Sequence, residues 1–379
     1  MNYDLVIKKG TVLDPSQGIH ARRDVAFANG AVAALAPDIP EKDAAHVLDA
    51  SGLLVVPGLV DLHVHVFWGG NHYGVEPDIA NISRGVTTAL DAGSSGALTF
   101  DGFRRFIVER AKTRLFALLN ISSIGLGPLE TGELFDIRFA DVEKAVATAR
   151  ANRDVILGIK ARLARHIAAD NDVAALQRAQ EAAEAFGGFM MAHVGNTARP
   201  LEELTAMLRP GDVVTHTFHG LSHGILDDAG KVIPGILEAR KRGVVFDVGH
   251  GAGSFSFRVA EKAFAQGFFP DNISSDVHRY NIEGPVFDQV TILSRFLHMG
   301  MSLEDVIRLS THVPAKIMGV AEHLGTLRAG AVGDAAVLRI DEGKFTLTDA
   351  HKVSVTATKR LTHVHTVRAG RVYRHWDHA

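Results

Sequence analysis

Residues 55–65 read Val-Val-Pro-Gly-Leu-Val-Asp-Leu-His-Val-His, and this stretch divides the chain into two kinds of sequence. Before it, short β-branched segments alternate with turns, such as the hairpin signal Asn29-Gly30. The stretch itself is an apolar strand-like run that ends in His-x-His. Because residues i and i+2 of a strand point to the same face, His63 and His65 are predicted to project together.

From about residue 59, apolar runs alternate with amphipathic segments. In residues 172–186, for example, Leu176, Ala179 and Ala183 recur at helical spacing. This alternation predicts parallel strands joined by helices, and eight repeats predict a (β/α)8 TIM-like barrel over residues 57–324. A doubly wound sheet is the alternative, but no glycine-rich dinucleotide motif follows the first run. The eight runs begin near Leu59, Val86, Leu115, Val155, Phe189, Val213, Val244 and Ile273.

The two ends of the chain are both rich in strand-like segments. After Gly325 these segments are residues 335–340, 352–358, 363–367 and 371–373. Each end is too short to bury a good core by itself. We therefore predict that residues 1–56 and 325–379 build one small β-sandwich domain beside the barrel.

Composition limits the classes of function. The 379 residues include 40 Lys plus Arg, 43 Asp plus Glu, 20 His and no Cys. The near-balance of charge argues against nucleic-acid and anionic-membrane partners. With no apolar segment long enough for a membrane span and no secretory leader, we expect a cytoplasmic protein. Without Cys, a metal must be held by His and carboxylates. The oligomeric state, a homo-oligomer included, stays open.

Polar residues mark four further strand ends of the predicted barrel: Lys160, His193, His216 and Asp276. Taken singly, they could be a surface lysine, hydrogen-bonded core histidines and a helix N-cap. Together with His-x-His they share the carboxyl ends of strands, where barrel active sites lie. Adjacent imidazoles on a buried strand are costly unless something binds them, so the pattern predicts a metal site.

The order His-x-His, Lys, His, His and Asp resembles the amidohydrolase superfamily, in its two-metal branch with a carboxylated lysine. Residues 56–65 are similar to the family's entry into the first barrel strand. Residues 311–316, 325–327 and 333–337 are similar to its exit into the β domain. The segments Gly-Ile-Lys-Ala-Arg at 158–162 and Asp-Val-Gly-His-Gly at 247–251 are similar to those of dihydroorotase-like deacetylases.

This resemblance implies two divalent metal ions. The more buried ion would be bound by His63, His65 and Asp276, and the second by His193 and His216. We expect zinc, which nitrogen and oxygen ligands suit, with manganese, cobalt and iron as alternatives.

Lys160 would bridge both ions as a carbamate formed with carbon dioxide. A carbamate is anionic and offers one oxygen to each ion, whereas an ammonium would repel them. Its formation needs a neutral amine, which burial beside cations favours.

The implied activity is hydrolysis of an amide or ester of a small acylated substrate by a metal-bridged hydroxide. Asp276 would be the catalytic residue that takes the proton and passes it to the leaving group. We expect deacetylation of N-acetyl amino acids or O-acetyl α-hydroxy acids.

Two other functions remain as alternatives. One is a cyclic amidohydrolase of the dihydroorotase or hydantoinase type. Dihydroorotases carry an arginine where this chain has Phe67, which speaks against that activity. The other is a non-catalytic scaffold, against which the complete set of six ligand positions speaks.

Five residues near strand ends are candidates for substrate binding. Arg162 shares a strand face with Lys160 and could bind a carboxylate, although an ion pair between barrel layers explains it equally well. Tyr73 could seat an apolar group, and His250 and Ser254 could line the pocket. His278 lies near Asp276 and could contact either substrate or a ligand residue.

Overall fold

The computed structural model describes residues 2–128 and 130–373, and its strands form three sheets. The strands are β1 (Tyr3–Lys8), β2 (Thr11–Asp14), β3 (Ile19–Arg22), β4 (Asp24–Ala28), β5 (Ala31–Ala36), β6 (Ala44–Asp49), β7 (Leu54–Pro57), β8 (Leu59–Val64), β9 (Val86–Ala92), β10 (Arg114–Asn120), β11 (Ile156–Arg162), β12 (Phe189–His193), β13 (Val213–Thr215), β14 (Val245–Phe246), β15 (Ala335–Thr348), β16 (Ser354–Arg368) and β17 (Arg371–Tyr373).

Helices connect the strands of the central part of the chain. No helix in the described ranges is long and apolar enough to cross a membrane. The α-helices are α1 (Pro77–Ala80), α2 (Phe100–Phe103), α3 (Val142–Ala151), α4 (Arg165–Ala168), α5 (Asp172–Phe186), α6 (Leu201–Ala206), α7 (Pro234–Lys241), α8 (Phe257–Phe264), α9 (Gln289–His298), α10 (Leu303–Arg308) and α11 (His312–Ile317). Short 3-10 segments span Glu41–Asp43, Ile82–Arg84 and Ile137–Phe139, and Arg104–Val108 is π-helical.

The central sheet is parallel and curled, and its seven strands β8 to β14 lie side by side in chain order. Each consecutive pair is joined by parallel hydrogen bonding. Strand β9 is buried along its whole length, as expected for a strand covered on both faces. The carboxyl ends of these strands therefore meet at one edge, where the predicted site residues were placed.

The eighth predicted run, near Ile273, does not form a regular strand, so that part of the prediction was wrong. Residues around it instead make isolated parallel bridges to β8 and to the chain following β14. The N–H of Asp276 donates to the carbonyl of His63 at 2.7 Å. Regular pairing is interrupted because Asp276 has φ of 52° and because the carboxylate of Asp61 takes the N–H of Ser275 at 3.0 Å. This irregular closing segment connects the two edges of the curled sheet.

The two ends of the chain share a sheet. Its order is β17-β16-β15-β7-β2-β3, with β7 antiparallel to β15 and parallel to β2. A four-stranded sheet, β5-β4-β1-β6, contributes Ile7 and Phe27 to the same buried cluster as Val55, Val337 and Val367 of the six-stranded sheet.

Local predictions for these ends are mostly confirmed. Strands β4 and β5 form the hairpin around Asn29-Gly30, whose positive φ angles of 52° and 77° suit Asn and Gly. The segments 352–358 and 363–367 were predicted as separate strands, but residues 354–358 and 363–367 lie in the single strand β16, and residues 352–353 precede it. Residues 374–379 of the predicted terminal domain lie outside the described residues.

Candidate metal centre and substrate pocket

The six predicted ligand residues meet at the carboxyl edge of the curled sheet. All are buried, although His193 keeps a partly exposed edge. They come from four strands and the closing segment: His63 in β8, His65 directly after it, Lys160 in β11, His193 at the end of β12, His216 directly after β13, and Asp276.

One carboxylate oxygen lies at the centre of the first group. Nε2 of His63 is 3.4 Å and Nε2 of His65 is 3.3 Å from Oδ1 of Asp276. Nδ1 of His216 lies 4.0 Å from Oδ2 of the same residue. Ligand atoms of His63, His216 and Asp276 all lie within 4.8 Å of one another, close enough to hold a single metal ion.

The remaining two residues continue this group on its other side. The rings of His193 and His216 meet edge to face with centroids 4.3 Å apart. Nζ of Lys160 lies 3.5 Å from Nε2 of His63 and 3.2 Å from Sδ of Met191. Neither contact neutralises an ammonium group.

Burial determines the protonation of these groups. It lowers the pKa of His63 and His193 well below the ordinary range, and that of His65 and His216 to about 3. Burial also lowers the pKa of Lys160 to about 7. The imidazoles are therefore neutral at physiological pH, and much of the lysine is an uncharged amine.

The tautomers of the histidines suit a cation. Nδ1 of His63 and of His65 each bonds a buried hydroxyl, and Nδ1 of His216 donates to the carbonyl of Gly249 at 2.7 Å. With the proton on Nδ1, Nε2 presents a lone pair. In that tautomer Nε2 of His63 and of His65 both face Oδ1 of Asp276, an arrangement that a cation between them would stabilise. The donor set of imidazole and carboxylate fits a divalent ion such as zinc.

Two of these residues have unusual backbone conformations. Asp276 has φ of 52° and His216 has φ of 71°. Such outliers cost about 1–3 kcal/mol each and concentrate at functional sites. Gly251 packs against the same carboxylate, and a Cβ there would lie 2.4 Å from Oδ2 of Asp276. The chain keeps a glycine where any side chain would displace the ligand.

A cavity of about 330 Å³ opens onto the cluster. Four of the five predicted substrate-binding residues line it: Tyr73, Arg162, Ser254 and His278. Burial lowers the pKa of His278 to about 4, so it enters the cavity wall as a neutral ring.

His250 is the exception among the predicted substrate residues. It is fully buried, stacks on Phe255 with ring centroids 4.7 Å apart, and is not part of the cavity lining. Its Nδ1 bonds the carbonyl of Gly251 at 3.0 Å. This arrangement does not support the predicted substrate contact, because the ring packs into the core behind the cavity.

Arg162 is held by a residue that the sequence did not point to. Its Nε lies 3.1 Å from Oε1 of Glu133, and both side chains are almost fully buried. The contact has ion-pair distance without the alignment of a hydrogen bond. The guanidinium carbon also lies 5.5 Å from the centre of the Tyr73 ring. Arg162 is thus a cation fixed in the cavity wall.

Several site residues were missed by sequence reasoning. Glu133 and His166 lie in irregular or short helical segments far from any strand pattern, where no sequence signal distinguishes them. Thr215 and Asp247 could have been noticed, since Thr215 precedes His216 and Asp247 follows β14. Their connection to the site is visible only in the structure, where Thr215 contacts His63 and donates its hydroxyl proton to Asp247.

Comparisons with known proteins agree on one group. No protein-family model matches the chain. Three curated relatives named deacetylase are 33% to 34% identical to it, and the one from Enterococcus faecalis aligns over 98% of this chain and 100% of its own. A crystal structure of an adenine deaminase matches 98% of this chain and 100% of its own with TM-score 0.92 and 32% identity. A dihydroorotase structure matches 98% of this chain and 99% of its own with TM-score 0.89 and 30% identity.

Proposed function

Because the chain belongs to the amidohydrolase superfamily, in its dihydroorotase-like group, we propose that it hydrolyses a small acylated compound at a two-metal centre. It is a hydrolytic enzyme that acts as a deacetylase, as the names of relatives that align over 85% to 98% of the chain indicate. The observation that carries the metal proposal is that Nε2 of His63 and Nε2 of His65 lie 3.4 Å and 3.3 Å from the same oxygen of Asp276.

We propose that His63, His65 and Asp276 hold one metal ion and that His193 and His216 hold the other. Two divalent ions, zinc in this proposal, would supply a water of lowered pKa and polarise the acyl carbonyl.

Lys160 would join both positions as a carbamate. Its low pKa supports this, since only the neutral amine attacks carbon dioxide. The C–N bond forms as the amine loses a proton, which leaves one negative charge shared by two oxygens.

The chain's own residues would move the proton. Asp276 lies between the histidines and the cavity, and burial raises the pKa of its carboxyl above the ordinary value. A carboxylate with a raised pKa is a better base, so Asp276 would accept the proton of the attacking water and deliver it to the leaving amine or alkoxide.

Arg162 would select the substrate. Its guanidinium is fixed in the cavity wall, where it can bind a carboxylate next to the scissile bond. We therefore propose N-acetyl amino acids or O-acetyl α-hydroxy acids as the substrate class. Tyr73 and His278, which also line the cavity, would contact the substrate side group.

A cyclic amidohydrolase activity is the second candidate, favoured by the full-length match to a dihydroorotase structure. Phe67 speaks against it, since its ring packs on Phe103 with centroids 5.0 Å apart and is not part of the cavity lining. No cation is therefore supplied from the position where dihydroorotases have an arginine.

Acetate release from a panel of acetylated D- and L-amino acids and α-hydroxy acids, with dihydroorotate alongside, tests these functions. We expect two metal ions per chain and turnover of acetylated carboxylic acids. Faster turnover of dihydroorotate would contradict the deacetylase proposal. Metal content clearly below one ion per chain would contradict the two-metal centre and favour a non-catalytic scaffold.

We propose further that the two terminal sheets form one β-sandwich domain of residues 1–56 and 325–379, beside a barrel of residues 57–324. The shared buried cluster of Phe27, Val55 and Val367 supports this division. A cytoplasmic location stays a prediction.

A further inference from the structure

A buried hydroxyl contacts each histidine of the more buried metal position. Oγ1 of Thr215 lies 2.9 Å from Nδ1 of His63, and Oγ of Ser94 lies 3.0 Å from Nδ1 of His65. All four side chains are buried. Thr215 belongs to β13 and Ser94 follows β9, so two separate parts of the barrel supply the same contact.

Each of these residues is hydrogen-bonded to a buried carboxylate, and we call these two couples the relay pairs: Thr215 with Asp247, and Ser94 with Asp91. The hydroxyl of Thr215 donates to Oδ2 of Asp247 at 2.7 Å. Asp91 accepts the backbone N–H of Ser94 at 2.7 Å, which holds Ser94 next to this carboxylate. A hydroxyl that gives its proton to a carboxylate accepts one from the imidazole, so His63 carries its proton on Nδ1.

Other groups hold these carboxylates in place. Asp247 also accepts the hydroxyl of Ser274 at 2.7 Å, and Asp91 accepts the N–H of Val66 at 2.9 Å. Both carboxylates are fully buried. Asp91 and Thr215 lie in β9 and β13, and Ser94 and Asp247 follow the ends of β9 and β14, so both relay pairs are positioned by the central sheet.

The second metal position is built differently. Nδ1 of His216 donates to the backbone carbonyl of Gly249 at 2.7 Å, which fixes the tautomer without a carboxylate behind it. The carboxylate of Asp247 takes the hydroxyl proton of Thr215 and so makes that hydroxyl a better acceptor for the N–H of His63. A stronger hydrogen-bond partner on the second ring nitrogen raises the basicity of a ligating histidine. The two positions should therefore differ in affinity.

We propose that the relay pairs are positioning groups for the metal position formed by His63, His65 and Asp276, and that they make this position the tighter of the two. The inference rests on the proposed two-metal function. It predicts that this position fills first when metal is limiting.

The test uses metal-free protein titrated with Zn²⁺ against a chromophoric chelator. Thr215→Val keeps the side-chain shape and removes the hydroxyl, and we expect the tighter dissociation constant to rise about 10–100-fold. Thr215→Ser keeps a hydroxyl at this position, so its Zn²⁺ affinity should be close to that of the wild type. Ser94→Ala removes the hydroxyl that contacts His65, and it should weaken binding of the same metal ion.

Thr311→Val is the matched control. Thr311 is also fully buried, and its hydroxyl donates to the backbone carbonyl of Ile307 at 2.6 Å, so the change removes a comparable hydrogen bond that involves neither a ligand residue nor a relay pair. We expect unchanged metal affinity in this variant. The unfolding midpoint of each metal-free variant measures its general structural cost.

Three results would overturn the inference. If the wild type binds two ions and Thr215→Val and Ser94→Ala bind both as tightly, the relay pairs have no positioning role, although the proposed function stands. Equal losses of metal affinity in Thr215→Val and Thr311→Val would show a general structural effect. A wild-type protein that binds no metal would overturn the proposed function together with the inference.

Discussion

The amine nitrogen of Lys160 lies 3.5 Å from Nε2 of His63, in a part of the core where neither side chain reaches solvent. Two nitrogens that could both carry positive charge thus face each other. The two nitrogens repel each other if both carry positive charge, and this is avoided if at least one is neutral or if an anion and cations replace the protons. A carbamate on Lys160 with metal ions beside it satisfies the second condition.

Replacing Lys160 tests this condition. Lys160→Ala removes the bridging group, and we expect loss of bound metal and a fall in kcat/KM of at least about 100-fold, since loss of even an outer-shell contact costs 10–100-fold. Added formate or propionate should restore part of the activity by supplying a carboxylate in the vacated space. Lys241→Ala, at an exposed lysine paired with Glu238, is the control. Full metal content and activity in Lys160→Ala would contradict the bridging role.

The pH dependence of activation follows from the lowered pKa of Lys160. Burial brings that pKa from 10.5 to about 7, so the amine is protonated below pH 7 and free to react above it. At constant dissolved carbon dioxide, we expect metal-free protein to regain activity faster from pH 6 to pH 8 and then level off. The measurement is the rate of activity recovery after addition of metal. A rate that keeps rising about tenfold per pH unit to pH 9 would indicate a lysine with an ordinary pKa.

The curled parallel sheet and the polar residues at its carboxyl edge were predictable because the same pattern repeats along the chain. Buried parallel strands are short apolar runs, and a polar residue directly after such a run is conspicuous, as at His193 and His216. The sequence did not predict that the closing segment would lack a regular strand. Its apolar run near Ile273 resembles a strand, and only the contacts of Asp61 and Asp276 across the sheet interrupt it.

The substrate pocket was less predictable, because its residues come from segments without periodicity. Glu133 reaches Arg162 across 29 positions of the chain, and no local pattern encodes that contact. His250 shows the opposite difficulty, and its proposed contact with substrate stays a prediction. Its position after β14 is correct for a site residue, but packing against Phe255 takes its ring into the core.

Asp276 is expected to carry the proton transfer. Asp276→Asn keeps the size of the side chain and removes the base, so kcat should fall about 10²–10⁴-fold. Steady-state kinetics with metal content determined on the same sample would measure this. Asp228→Asn, at an exposed carboxylate, serves as the control. Unchanged kcat in Asp276→Asn would refute the mechanism.

Arg162 is expected to determine the preference for carboxylate substrates. A hydrogen bond to a charged group is worth about 1.5–3 kcal/mol, so Arg162→Met should raise KM for an N-acetyl amino acid by about 10–100-fold. KM for the corresponding amino-acid amide, which lacks the charge, should change little.

Loss of Arg162 also leaves Glu133 buried and unpaired, which costs about 3–5 kcal/mol of stability. The double variant Arg162→Met/Glu133→Gln separates the two effects, because it should recover stability while KM stays high. An equal rise in KM for acid and amide would instead indicate a distorted pocket.

Phe27 tests whether the two ends of the chain share one core. Its side chain is fully buried in the cluster that joins the four-stranded and six-stranded sheets. Phe27→Ala should lower the free energy of unfolding by about 3–5 kcal/mol, measured by urea denaturation. Phe106→Ala, at a side chain that is 58% exposed, should change this free energy by less than about 0.5 kcal/mol.

A double variant tests whether the two sheets share this core. Val367 lies in the same cluster as Phe27 but in the other sheet. If the core is shared, the effects of Val367→Ala and Phe27→Ala on the free energy of unfolding should differ from additivity by at least about 0.5 kcal/mol. Strict additivity of the two changes would show that the sheets do not pack as a single unit.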